Sequence, residues 1–317
     1  MKRLALLLLL ALTPLLPTRS AESAAVPGVL ATMFPQYDFA RRIGGDRVHV
    51  AMLLPPGADA HSYEPTPLDI RGVAKASLLI YAGTEIEPWA TRILAAVADI
   101  GQVRGVDSSK GIDLIRSGMS EETEGGGEAH GHHDEDGHDH GHVLDPHFWL
   151  DPILAAQMAE TIAEALVSVD PVNAGYYAEN LEALLDDLAR LDAECRAMTV
   201  AVARRTLVFG GRFAFAYFFR RYGLESFGVY DGCGVGVEPS LRRIAELTAF
   251  VGDKGIPVIY HEERVQPRIA RAIADESGAA LVMAHSLHTL SVDEARAGLT
   301  YFDLMRRNLA GFRKGLQ

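Results

Sequence analysis

The stretch from Asn173 to Val200, NAGYYAENLEALLDDLARLDAECRAMTV, decides the fold because its apolar residues keep a helical spacing throughout. Charged residues fill the positions between them. The apolar positions are Leu181, Leu184, Leu188, Leu191, Cys195 and Met198. The pattern predicts one amphipathic helix, which at 1.5 Å per residue is on the order of 40 Å long. Such a helix suits a rigid connection between two domains.

Short apolar strands alternate with helices on both sides of this stretch. Before it, strands are predicted near Val29–Met33, Val48–Leu54, Leu78–Tyr81 and Gln102–Val106. After it, strands are predicted near Leu207–Phe209, Ser226–Tyr230, Pro257–Tyr260 and Ala280–Met283, followed by one last helix from about Val292 to Gly315. Strands that alternate with helices indicate mainly parallel sheets with helices on both faces. The predicted fold class is α/β, with two α/β lobes joined by one long rigid helix and a ligand cleft between the lobes.

The predicted domain boundaries follow from these patterns. A signal segment covers residues 1–25, the first lobe residues 26–170, the linking helix residues 171–201 and the second lobe residues 202–317. Lys2 and Arg3 precede an apolar run, Leu4 to Leu12, that is too short to span a bilayer. We therefore expect a cleaved secretory signal and a soluble, periplasmic protein. No cysteine lies near the expected cut, so no lipid anchor is expected.

Composition limits the function further. The chain of 317 residues has a formal net charge of −12, which argues against nucleic acid as a partner. No Lys or Arg occurs from Ser117 to Ala189. The two cysteines, Cys195 and Cys233, lie far apart in the sequence. A disulfide between them and two separate buried thiols are equally compatible with the sequence.

An acidic loop of about 117–143 holds half of the 12 histidines. They are His130, His132, His133, His138, His140 and His142. Imidazoles mixed with carboxylates bind divalent cations but cannot form an apolar core. We expect this loop to be disordered without metal and to act as a low-affinity collector of zinc.

Three histidines lie in settings that a folded site can use. His61 lies in a loop between prolines, His147 precedes Phe148 and Trp149, and His285 follows an apolar strand. Ligands of α/β sheets bind at the carboxyl ends of strands. Three imidazoles with a water or carboxylate as fourth ligand suit Zn²⁺.

Two motifs resemble a known family. His61-Ser62-Tyr63-Glu64-Pro65-Thr66-Pro67 and Asp145-Pro146-His147-Phe148-Trp149-Leu150-Asp151-Pro152 resemble the first two metal-ligand motifs of the ZnuA/TroA-like solute-binding proteins. These are the periplasmic zinc- and manganese-type binding proteins of ABC transporters. The resemblance covers essentially the whole mature chain. It implies two α/β lobes, a metal between them, delivery to an ABC permease at the membrane, and no enzymatic activity. The histidine-rich insertion favours Zn²⁺ over Mn²⁺, and a monomer is expected.

The second half of the chain departs from the family pattern. Arg212 stands where members usually carry a His or Glu ligand, and a guanidinium cannot bind a metal. His285 stands where members usually carry an Asp. We therefore predict His61, His147 and His285 as the metal ligands. Arg212 is expected to pair with Glu238 or Glu262, and these groups, with His288 and His261, are the candidates for the fourth ligand or the surrounding shell.

Two other functions are compatible with these residues. A zinc buffer or metallochaperone that never meets a permease would use the same ligands. A zinc hydrolase would need a general base, for which Glu238 or Glu262 would serve, but the chain has no HExxH motif. If histidines bind the metal, affinity should fall as the pH drops through the ordinary histidine range near 6.5.

Overall fold

The computed structural model describes residues 26–116, 144–200, 202–229, 239–263 and 266–317. The predicted signal segment, the histidine-rich loop, Cys233 and Glu238 lie outside these ranges. Within them the chain forms two four-stranded sheets, each with parallel strands only.

The first sheet follows the strands predicted before the long helix. Its strands are β1 Gly28–Ala31, β2 His49–Met52, β3 Leu78–Tyr81 and β4 Arg104–Asp107, in the spatial order β2-β1-β3-β4. The helices around it are α1 Phe34–Gly44, α2 Pro67–Lys75, α3 Pro88–Val97 and α4 Pro152–Val169. Thr66 begins α2 with a capping box to Asp69, and the Asp151 side chain caps α4. Both capping residues are the next-to-last residues of the histidine motifs, so they hold the chain where those motifs end.

Helix α4 is long and apolar enough to cross a membrane by length and composition alone. Its side chains Ala155, Met158, Ile162 and Leu166 are nevertheless fully or almost fully buried in the core. It also packs against α1 and the long helix that follows. These contacts make α4 a core helix of the first lobe.

The long helix is α5, Ala174–Met198, with 25 residues. Its buried residues include Leu184, Leu188, Leu191 and Cys195, at the predicted spacing. Helix α5 packs against α1 and α4 and also contacts the last helix of the chain. Cys195 is a buried free thiol in the described structure, and its possible partner Cys233 lies outside the described residues.

The second sheet repeats the arrangement of the first. Its strands are β5 Thr206–Phe209, β6 Glu225–Gly228, β7 Val258–Glu262 and β8 Ala280–Ala284, in the order β6-β5-β7-β8. Its helices are α6 Ala216–Tyr222, α7 Leu241–Lys254, α8 Arg268–Ser277, α9 Val292–Ala297 and α10 Tyr301–Leu316. The predicted α/β class with two sheets is confirmed.

The prediction of a single last helix from Val292 to Gly315 was wrong. Gly298 adopts a left-handed conformation with φ of 67° and ends α9. Thr300 then begins α10 with a capping box to Asp303. The stretch therefore forms two helices, α9 and α10, separated by Gly298 to Thr300.

Candidate metal centre

Three histidines meet between the carboxyl ends of the two sheets. His61, His147 and His288 each offer one ring nitrogen, and these nitrogens lie within 4.8 Å of one another. The ring centroids of His61 and His147 are 5.5 Å apart, and each lies 4.9 Å from that of His288. We call these three residues the histidine group.

His61 comes from the loop after β2. Its backbone N–H donates to Asp59 Oδ1 at 2.9 Å, which fixes the turn that carries the ring. The ring is partly buried. Burial, together with the nearby His147, lowers the pKa of His61 to about 4. The ring is therefore neutral at neutral pH, as a metal ligand must be.

His147 precedes α4 and is 1% exposed. Its ring Nδ1 lies 2.8 Å from Asp145 Oδ1, and its backbone N–H donates to the same oxygen at 2.9 Å. The carbonyl of Asp145 accepts a hydrogen bond from Tyr217 Oη at 2.6 Å, so an element of the second lobe holds this turn. A carboxylate behind Nδ1 selects the tautomer in which Nε2 carries the lone pair that a metal needs.

His288 comes from the loop after β8 and is 7% exposed. Its Nδ1 contacts Ser286 Oγ, which in turn hydrogen-bonds to Glu263 Oε1. The backbone N–H of Ser286 donates to Glu263 Oε2 at 2.8 Å. Nε2 of His288 is buried and has no hydrogen-bond partner among the described residues. Burial, with the neighbouring histidines, lowers the pKa of His288 well below its usual value.

The path of this loop depends on Leu287, which has a positive φ of 65°. A branched side chain in that region is strained, so the surroundings must hold it there. The N–H of Leu287 donates to His285 Nδ1 at 2.9 Å. Trp149 Nε1 donates to the carbonyl of Ser286 at 2.9 Å. These bonds turn the chain so that His288 points into the histidine group.

His285, predicted from the sequence as the third ligand, lies outside this group. Its Nδ1 accepts the Leu287 N–H, and its Nε2 is 3.4 Å from Glu294 Oε2. Asn308 holds its backbone on both sides, with two hydrogen bonds of 2.8 Å. The structure thus places His288, an alternate candidate in the sequence, in the histidine group and uses His285 to order the loop. The sequence signal for His288 in place of His285 is that a second histidine follows His285 three residues later, in the same loop.

Among the described residues the ion pair of Arg212 is with the first lobe, and its predicted pairing with Glu238 lies outside those residues. Its guanidinium lies 3.9 Å from Asp59 Oδ2, on the first lobe. Burial and then Glu263 raise the pKa of Glu262 to about 7, although the Arg212 charge opposes this rise. His261 is partly buried, with Nδ1 2.7 Å from the Glu262 carbonyl, and does not join the histidine group.

The arrangement supplies three imidazoles with surrounding carboxylates, and a borderline divalent cation prefers such ligands. Two α/β sheets with a ligand group at their facing ends define a class, the two-lobed solute-binding proteins. Residues 29–315 match the family of ZnuA, described as "Zinc-uptake complex component A periplasmic". The chain belongs to this family. The family consists of uptake components, so the expectation that the protein is not an enzyme is confirmed.

Individual relatives agree with this assignment. The chain is 33% identical over 290 residues to the high-affinity zinc uptake system protein ZnuA of Bacillus subtilis (strain 168), covering 91% of this chain and 87% of that protein. It is 28% identical over 316 residues to the zinc-binding lipoprotein AdcA of Streptococcus pneumoniae serotype 4. That match covers 99% of this chain but only 61% of AdcA. The crystal structure of the metal-dependent lipoprotein YcdH from Bacillus subtilis superposes with a TM-score of 0.75 at 29% identity, over 92% of this chain and 99% of that one.

Proposed function

We propose that the protein captures Zn²⁺ outside the cytoplasm and delivers it to an ABC permease. The observation that carries the proposal is the histidine group, in which loops of both lobes bring three ring nitrogens within 4.8 Å. A cation held there joins the lobes of about residues 26–170 and 202–317. Binding therefore favours the arrangement in which both lobes contribute ligands, a state that a permease can recognise.

The ligand set of this proposal is His61, His147 and His288. The carboxylate of Asp145 orients His147, and Ser286 with Glu263 orients His288. Partners of this kind fix ring orientation and raise ligand basicity. Three imidazoles favour Zn²⁺ over Mn²⁺, which prefers oxygen ligands. The printed names of the relatives, a zinc uptake protein and a zinc-binding lipoprotein, support the same cargo.

The remaining parts of the proposal concern location and partners. We propose that the protein acts as a monomer outside the cytoplasm, beside the membrane. The histidine-rich loop of residues 117–143 would gather zinc at low affinity and would be dispensable for tight binding. A buffer with no permease partner would share the ligands but would not support uptake.

The test is a zinc titration, against a competing chelator, of the wild type and single alanine variants. His61→Ala, His147→Ala and His288→Ala should each weaken the tight site by more than about 100-fold, because each removes a direct ligand. His285→Ala is the matched control from the same loop and should retain the tight site more fully than His288→Ala. Deletion of residues 118–142 should leave it intact. Tight binding that survives His288→Ala but not His285→Ala would reverse the ligand assignment.

Coupling to a permease needs a second experiment. Zinc uptake is measured in cells that carry the permease and ATPase but lack this protein. Supply of the wild type should restore uptake, and His288→Ala should not. If the wild type binds zinc in solution but restores no uptake, the buffer function is favoured instead.

A further inference from the structure

A cavity of about 480 Å³ lies in the second lobe, lined by described residues of that lobe only. It lies between the loops after β5 and β7 and the start of α8. Its wall includes Gly211, Arg212, Glu262 and Arg268, with Ile244 and Ile269 on the apolar side. The volume is in the range of pockets that hold small organic ligands.

Arg212 connects this cavity to the histidine group. Its guanidinium lines the cavity and lies 3.9 Å from Asp59 Oδ2, while Asp59 Oδ1 accepts the backbone N–H of His61. The positive charge of Arg212 is also close enough to act on the rings of His61 and His288. Arg212 is therefore the residue that links the cavity to the histidine group.

Arg212 has unused capacity for an anion. In the described part of the chain its ion pair with Asp59 is longer than a hydrogen bond, and its side chain is 26% exposed. A guanidinium presents five N–H donors in a fork that fits a carboxylate. A dication in the histidine group also repels this guanidinium unless negative charge lies between them.

A zinc ion in the histidine group would also need an anion or another fourth ligand. Zinc with three imidazoles takes a fourth ligand in tetrahedral geometry. Among the described residues, no Asp or Glu carboxylate joins the three ring nitrogens within their 4.8 Å span. An anion from solution would satisfy both the zinc and Arg212.

We propose that the cavity binds a small organic carboxylate, which Arg212 holds beside the zinc so that one carboxylate oxygen becomes the fourth ligand. The protein would then carry zinc as a ternary complex with this anion. The inference rests on the proposed function, since the anion needs zinc in the histidine group. Arg212, which departs from the usual ligand of the family, thereby replaces a protein ligand with a recruited one.

The test uses the full-length protein loaded with Co²⁺, whose visible absorption reports the ligands of a tetrahedral site, with acetate as the probe. Acetate should change the spectrum saturably, and the neutral analogue acetamide should not. Arg212→Met should weaken acetate binding by at least about tenfold, the value of a charge-assisted hydrogen bond. Arg212→Lys should restore part of it. Arg242→Met removes an Arg that is 90% exposed and serves as the matched control.

The outcomes separate the two proposals. A cobalt spectrum that acetate does not alter shows that water or the chain itself provides the fourth ligand, and it overturns the inference alone. Equal acetate affinity in the wild type and Arg212→Met also overturns it, because Arg212 then plays no part. Absence of any tetrahedral cobalt spectrum in the wild type contradicts the proposed function as well.

Discussion

Ser286→Ala tests whether the hydrogen bonds that connect Glu263, Ser286 and His288 raise the zinc affinity of the candidate site. The change deletes only Oγ, which accepts from His288 Nδ1 and donates to Glu263. His288 then loses the contact that fixes its tautomer, although its ring remains in place. Loss of such an outer partner usually costs 10–100-fold in metal affinity, so we expect a decrease of about that size.

The same change has a separate effect on folding. Glu263 is 9% exposed and keeps the Ser286 N–H as a donor at 2.8 Å, but it loses the hydroxyl. A lost hydrogen bond to a charged group costs about 1.5–3 kcal/mol. For a chain of this size each kcal/mol lowers the melting temperature by roughly 2–4 °C. Thermal unfolding of the metal-free protein should therefore shift down by about 3–12 °C.

Two comparisons separate tuning from simple destabilisation. Zinc affinity is measured by chelator competition well below the melting temperature, so that unfolding does not contribute. Ser286→Thr retains the hydroxyl and should recover most of the affinity. Ser277→Ala removes a hydroxyl that donates only within α8 and should leave affinity unchanged. If Ser286→Ala binds zinc within about twofold of the wild type, the hydrogen bonds from Glu263 through Ser286 to His288 do not affect zinc affinity.

Two further predictions concern pH and the last helices. The pKa of His61, about 4, keeps its ring neutral at pH 5, and burial lowers the pKa of His288 in the same direction, so protonation of these two rings should weaken zinc binding only well below pH 6.5. Stability of the metal-free protein should instead fall already below pH 6.5, because the histidines of the unfolded chain bind protons at higher pH than those of the folded protein. Chelator competition between pH 4 and 8 measures the affinity, and thermal unfolding over the same range measures the stability. An affinity loss centred near pH 6.5 would contradict the prediction for zinc binding. Gly298→Ala should destabilise the protein by about 1 kcal/mol, since φ there is +67° although there is space for a Cβ. Gly252→Ala, within α7 and equally unobstructed, should be neutral or stabilising, and denaturant unfolding that ranks the two variants in the reverse order would refute the argument.

Much of the fold was predictable because its signals are local. The spacing of apolar residues predicted α5, and the alternation of strands and helices predicted two parallel sheets. The family resemblance, based on the motifs around His61 and His147, is confirmed by the match over residues 29–315. The last helix was predicted wrongly because the apolar pattern continues through Gly298. The glycine that ends α9 and the Thr300 capping box that begins α10 instead divide this stretch into two helices.

The pH expectation also changed for a tertiary reason. An unperturbed histidine titrates near 6.5, and the sequence offers no measure of burial. The structure places His61 and His288 among other imidazoles and away from water, which disfavours the charged form.

The sequence by itself determined the class of the protein, since periodicity and the two histidine motifs are properties of neighbouring residues. Only the tertiary structure decided whether His285 or His288 lies beside His61 and His147. The choice depends on the strained turn at Leu287, held by Trp149 and by the contacts of His285 with Asn308 and Glu294. Trp149 is 137 positions from Ser286, to which it donates. Because the direction of a loop side chain follows from such distant contacts, no local pattern in the sequence specifies which of the two imidazoles joins the histidine group.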